Sequence, residues 1–128
     1  MFEHMESVRL AGKEYPIKCD INVLIEIQEQ FQTLNNFEMQ ITGVEIVKDE
    51  NGSAVMNNEG KILFKRVEPS IKAISKILPC MLKEAADAGE NIDLKEALSA
   101  IQNAQFELYE TACKIHTEYS KCFERKNV

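Results

Sequence analysis

A seven-residue hydrophobic repeat in the last third of this 128-residue chain is the strongest constraint on its fold. The repeat comprises Leu94, Ile101, Leu108, Ile115 and Cys122, with Leu98, Gln105, Ala112 and Tyr119 at the same spacing between them. Because seven residues are close to two helical turns, both sets lie along one face of a helix. The pattern predicts one long helix, or two helices joined near residues 103–105, packed by this face against other helices.

Alternating residues near the start of the chain predict a β-hairpin. The two runs are 7–11 and 14–18, and Gly12-Lys13 between them suits a tight turn. The side chains expected on the buried face are Leu10, Tyr15 and Ile17.

Capping residues and apolar spacing predict the helices that follow. Asp20 suits an N-cap for a helix over 21–31, and a short second helix is expected to end at Gly43. A third helix should begin after Glu68-Pro69-Ser70, with Pro79 kinking it. Its expected apolar stripe is Ile71, Ile74, Leu78, Met81, Leu82 and Ala85.

The segment 44–67 has a different character. Its short β-like runs are separated by polar turns that end at Gly52 and Gly60, eight residues apart. Two interpretations remain open: an ordered hairpin or small meander, and a flexible insert that orders on a partner. The chain as a whole is therefore predicted to be one α+β, mostly α domain over 1–128, with an N-terminal β-hairpin and about four helices.

Charge and composition exclude some partners. The net charge of −6 disfavours a nucleic-acid partner, since phosphates would be repelled on average. The longest apolar runs are far below the roughly 20 residues that a membrane span needs, so no membrane partner is expected. The start of the chain carries Glu3 and Glu6 and does not resemble a secretory signal, which predicts a cytoplasmic protein.

The residue types that carry chemistry are scattered. The cysteines at 19, 80, 113 and 122 form no Cys-x-x-Cys pair and are expected to be buried, reduced thiols. His116 has no second histidine at helical spacing, and no glycine-rich phosphate loop occurs. We therefore expect no enzymatic activity, no catalytic residues, no cofactor and no metal.

The order of the motifs resembles the tail assembly chaperones of long-tailed (siphovirus-type) bacteriophages and prophages, especially those of Gram-positive hosts. The resemblance covers nearly the whole chain. It is carried by Gly12-Lys13-Glu14-Tyr15-Pro16, the Val23–Phe31 helix, Phe37-Glu38 with Ile41 and Gly43, Glu68-Pro69-Ser70-Ile71, and Cys122-Phe123. Gln32 stands where a glycine is expected in relatives.

The resemblance implies a non-enzymatic viral factor that acts in the host bacterial cytoplasm. Such chaperones bind the tape-measure protein, help to recruit tail-tube subunits and are absent from the mature virion. The family often makes a second, longer product by ribosomal frameshifting. The alternative is a structural virion component, a tail-tube or head-tail connector protein.

A surface for client binding or self-association is predicted on the outer edge of the last helix. The residues assigned to it are Phe106, Tyr109, Ile115, Tyr119 and Phe123. This assignment comes from the pattern of residues on the helix and is not carried over from the family.

Overall fold

The computed structural model describes residues 5–124 as five helices and two small antiparallel hairpins, and about half of the chain is helical. The elements are β1 (Ser7–Leu10), β2 (Lys13–Pro16), α1 (Ile21–Phe31), α2 (Leu34–Thr42), β3 (Val44–Ile46), β4 (Phe64–Arg66), α3 (Ile71–Asp87), α4 (Leu94–Gln102) and α5 (Leu108–Lys121). The predicted α+β class is confirmed. One helix more than expected is present because the seven-residue repeat spans two helices.

The N-terminal hairpin turns one residue earlier than predicted. Leu10 pairs with Lys13, so the turn is Ala11-Gly12, with φ of +52° and +81°. Positive φ at both positions is typical of the two-residue turn whose twist matches that of the strands. The predicted buried residues Leu10, Tyr15 and Ile17 all lie in the core.

Helix α1 has the predicted bounds, and Asp20 accepts hydrogen bonds from the amides of Asn22 and Val23. Gln32 follows it with φ +71° and ψ −45°, and the Thr33 amide donates to the Phe31 carbonyl at 2.8 Å. This is a γ-turn with positive φ, a strained conformation that residues with a side chain rarely adopt. It lies at the position where the resemblance expects glycine.

Helix α2 ends at Gly43 as predicted, with φ +77°. A Cβ atom at this position would lie 2.4 Å from the Val67 carbonyl oxygen. The Val67 amide in turn donates to the Gly43 carbonyl at 2.9 Å. The close approach fixes both ends of the segment 44–67, called the arm below, at one point on the body.

The arm is ordered and contains an eight-residue repeat. Asp49 and Asn57 each accept, through the side chain, from the amides two and four residues further on. Val47, Val55 and Leu63 then close a ring of backbone hydrogen bonds: Val47 donates to Leu63, Leu63 to Val55, and Val55 to Val47. The meander interpretation is therefore correct. The arm consists of three short segments, each hydrogen-bonded to the other two.

The seven-residue repeat is divided between α4 and α5. Ala104 adopts φ +56°, and the Gln105 amide donates to the Ala100 carbonyl at 2.9 Å, which closes the end of α4. The Gln105 carbonyl accepts from the Ala11 amide, so the hairpin turn holds this loop. Glu107 then caps α5. The two-helix alternative is thus the correct one, and Leu98 and Gln105 of the repeat are exposed.

Helix α3 begins at its Ser70 cap and continues through Pro79 to Asp87. Its predicted stripe is buried except for Ile71, which is exposed. Ile71 is the first residue of α3, directly after the Ser70 cap.

All five helices and the first hairpin contribute to one hydrophobic core. Within it, α1 packs on α3 and α2 packs on α5. The buried Glu118 carboxylate of α5 accepts from the Glu6 amide at 3.0 Å and from the Cys19 amide at 3.2 Å. It thereby holds both ends of the first hairpin. No helix among residues 5–124 is long and apolar enough to cross a membrane.

Candidate functional site

The five residues predicted to form an interaction surface do not lie together. Tyr109 and Phe123 are 56% and 52% exposed, and Phe106 is half-buried against the core. Ile115 and Tyr119 are buried. The assignment of Ile115 and Tyr119 to a surface was wrong, because the face of α5 that carries them packs into the core. The neighbouring face of α5 is the exposed one.

That neighbouring row forms the outer stripe of α5. Tyr109, His116 and Phe123 are seven residues apart, so they follow one side of the helix and the residues just beyond its end. The surface stripe is therefore displaced by one position from the repeat that the sequence displays. It could have been found by following the aromatic residues at this spacing.

Phe123 is held in place by an aromatic row that leads out from the core. Its ring meets the Tyr119 ring edge-on at 5.1 Å, Tyr119 meets Phe37 at 5.2 Å, and Phe37 lies 5.3 Å from Phe31. These separations are favourable for aromatic pairs. Tyr119 thus supports the exposed Phe123 from beneath.

A groove runs between α2 and α5 beside this stripe. It consists of two adjoining depressions of about 370 and 330 Å³ that share Asn35 and Glu38. Phe123 borders one depression, and Phe64 of the arm borders the other. We call this the α2–α5 groove; its two ends carry exposed phenylalanine side chains.

A polar pair lies in the α2–α5 groove. His116 Nε2 lies 3.0 Å from Glu38 Oε2, and both side chains are partly exposed. The His116 ring also stacks on Tyr119 at 6.1 Å. Burial, and then the nearby Glu38 carboxylate, raise the pKa of Tyr119 to about 12. The pair places hydrogen-bonding groups beside the apolar side chains of the groove, and such groups can orient a bound segment.

Local spacing gave no indication of the pair between His116 and Glu38. The two residues lie 78 positions apart, on helices that meet only in the folded protein. The sequence places α2 and α5 as separate amphipathic helices but does not fix which of their edges meet.

The arm adds further exposed apolar side chains. Met56, Ile62 and Phe64 are exposed, and Phe64 also borders the α2–α5 groove. Apolar side chains displayed on a projecting element are typical of contact surfaces.

The thiols are less buried than predicted. Cys19, Cys80 and Cys122 are partly buried, but Cys113 is exposed. Burial raises the pKa of Cys80 to about 11 and also raises the pKa values of Cys19 and Cys122. Among residues 5–124, no group of three or more His, Cys, Asp and Glu side chains is arranged to hold a metal ion.

Comparison with protein-family models, with curated proteins and with solved structures finds no match.

Proposed function

We propose that this chain is a non-enzymatic tail assembly chaperone of a long-tailed bacteriophage or prophage. In this proposal it binds the tape-measure protein and helps to recruit tail-tube subunits around it in the host cytoplasm. It leaves before the virion is complete. The family assignment rests on the order of motifs from the Gly12–Pro16 turn to Cys122-Phe123.

The observation that carries the binding role is the α2–α5 groove with its exposed aromatic ends. Phe123 and Phe64 border its two depressions, and Tyr109 continues the α5 stripe. A groove between two helices that carries apolar anchors suits an amphipathic helical segment. The client is therefore expected to dock along α5, with Phe123 as an anchor.

The charge of the chain supports the same role. A chaperone for an aggregation-prone client must display apolar groups and remain dispersed itself. A net charge of −6 provides repulsion between copies and between loaded complexes.

The test is co-expression of the chain with a fragment of the tape-measure protein, followed by purification of the complex. Phe123→Glu and Tyr109→Glu each place a charge on the α5 stripe and should reduce the recovered fragment at least about tenfold, the effect of losing an interface anchor. Leu98→Glu, an exposed aliphatic residue on α4 outside the groove, is the matched control and should bind as the wild type does. Equal recovery with Phe123→Glu would contradict the proposed surface.

The alternative role, a structural component of the tail tube or connector, makes a different prediction. A structural protein is recovered in purified particles in stoichiometric amount, whereas a chaperone is absent from them. Quantitative mass spectrometry of virions therefore separates the two, and recovery of the chain at tube stoichiometry would contradict the chaperone proposal.

A further inference from the structure

Two partly buried cysteines, far apart in the chain, lie at the junction between the first hairpin and the end of α5. Cys19 follows β2 by three residues, and Cys122 is the C-cap of α5, with helical φ and ψ of −63° and −21°. The Cys19 amide donates to Glu118 Oε2 at 3.2 Å. Residues four apart on a helix lie on one side of it, so Cys122 is one turn beyond Glu118 on the side that meets Cys19.

Further contacts hold the same junction. Lys121 Nζ lies 3.5 Å from Glu6 Oε2 and 3.3 Å from Glu118 Oε1. The Glu6 amide donates to Glu118 Oε1 at 3.0 Å, and the Ile17 amide donates to the Glu6 carbonyl at 2.9 Å. The backbone that leads into Cys19 is therefore fixed against the last turn of α5.

The electrostatic environment of the two thiols agrees with this geometry. Burial raises the pKa of both thiols, and the next largest influence on each is the thiol of the other. The side chains of Asp20 and Lys18, which flank Cys19, also shift the pKa of Cys122. Such influences act between groups that are close in space, so the side chain of Cys122 lies beside the segment 18–20.

We propose that Cys19 and Cys122 form a reversible disulfide that joins the segment after the first hairpin to the end of α5. The oxidant is a small-molecule disulfide. The Cys122 thiolate attacks one of its sulfurs, which forms a mixed disulfide and releases one small thiol. The Cys19 thiolate then attacks the Cys122 sulfur and releases the second. The two cysteines lose two protons and two electrons, and the small-molecule disulfide is reduced to two thiols.

The bond acts on the stability of the fold, whether or not the chain binds a client. Because burial keeps both thiols protonated, exchange is slow and takes minutes to hours. The bond closes a loop of about 100 residues, and closing a long loop removes much of the conformational freedom of the unfolded chain. It adds a covalent link to a junction that Glu118 holds by hydrogen bonds.

Peptide mapping after oxidation identifies the bond. The folded protein is incubated with oxidised glutathione at mildly alkaline pH, its remaining thiols are alkylated in denaturant, and it is digested with trypsin without reductant. Lys18 and Lys121 directly precede the two cysteines, so each cysteine begins its own tryptic peptide. We expect these two peptides to be recovered as one linked species, and the free thiols to fall from four to two per chain.

Matched variants separate this pair from the other thiols. Cys113→Ser removes the exposed thiol and should still form the bond, whereas Cys122→Ser should not form it. Four free thiols after oxidation of the wild type, a mixed disulfide that persists at Cys122, or a cross-link that involves Cys80 or Cys113 would overturn the proposal.

Thermal unfolding tests the stabilising effect. The Tm of the oxidised wild type should exceed that of the reduced protein by about 10 °C and should return to the reduced value with dithiothreitol. In Glu118→Ala, oxidation should restore much of the Tm lost, because the bond joins the same two segments. An oxidised wild type with the Tm of the reduced protein, or a lower one, would contradict the stabilising role even where the bond forms.

Discussion

At the scale of single residues, two positions after the early helices set the path of the chain. Gly43 has no space for a side chain against the Val67 carbonyl, and Gln32 occupies a γ-turn that side chains resist. Glycine suits the conformation at position 43, whereas glutamine does not suit the conformation at position 32. The two positions therefore predict opposite effects of substitution.

Gly43→Ala should lower the free energy of unfolding by at least about 2 kcal/mol, since positive φ and the contact with Val67 both oppose a Cβ atom. Gly12→Ala is the matched control, because Gly12 also has positive φ but no atom within 4 Å of the added carbon. It should cost about 1 kcal/mol. Urea denaturation measures both, and equal losses would contradict the role of the contact.

Gln32→Gly should raise the free energy of unfolding by about 1 kcal/mol, because glycine relieves the backbone strain of the γ-turn. Gln28→Gly, an exposed position inside α1, should instead lower it by about 1 kcal/mol. The same urea titration tests both. A loss of stability in Gln32→Gly would show that the turn holds no strain.

Glu118→Ala should cost about 3 kcal/mol, because the amides of Glu6 and Cys19 would lose their buried acceptor. Thr117→Ala on the exposed side of the same helix should stay within about 0.5 kcal/mol of the wild type. Thermal or urea unfolding of the two variants provides the measurement. If both behave alike, the carboxylate does not anchor the hairpin.

Single residues also show what the sequence could predict. The Asp20 cap and the end of α2 at Gly43 depend on neighbours within a few residues, and both were predicted correctly. Glu118 was missed because its partners at positions 6 and 19 are about a hundred residues away in the chain. Local pattern identifies caps and turns, but not the partners of a buried charge.

At the scale of elements, the seven-residue repeat predicted the buried face but not the surface or the break. Ile115 and Tyr119 are core residues because they share the face of Ala112. The break after Ala104 depends on a left-handed residue and on the hairpin turn at Ala11. Neither is visible in the spacing of apolar residues. The sequence likewise did not decide whether the arm is ordered. Its ring of hydrogen bonds joins Val47, Val55 and Leu63, which lie eight or more residues apart in the chain.

A pH-dependent link joins the first hairpin to α4. Glu96 accepts from Lys13 Nζ at 2.6 Å and from the Tyr15 hydroxyl at 2.8 Å, and these bonds lower the pKa of Glu96 below its ordinary value of 4.5. The stabilisation is complete above the unfolded pKa and is lost as pH falls through the lower folded value. Carboxyl-carbon NMR should find this depressed pKa, and Lys13→Met should move it back towards 4.5. An unchanged pKa in Lys13→Met would contradict the link.

At the scale of the whole molecule, the acidic charge is unevenly distributed. Glu26 and Glu29 lie on α1 near the exposed Ile21 and Ile25, and α1 contains no basic residue. The proposed client contact uses the aromatic stripe of α5, on a different helix from these carboxylates. Client binding should therefore be lost in Phe123→Glu and kept in Ile25→Glu, an exposed position outside the α2–α5 groove.

The most direct test of the central claim is amide hydrogen exchange of the wild-type protein with and without a tape-measure fragment. Client binding in the α2–α5 groove predicts slower exchange in α2, in residues 109–123 and at β4, with α1 unchanged at a protein concentration where the chain is monomeric. Protection confined to α1, α3 or α4 would contradict the account. Exchange rates that do not change anywhere in the protein when the fragment is added would also contradict the account.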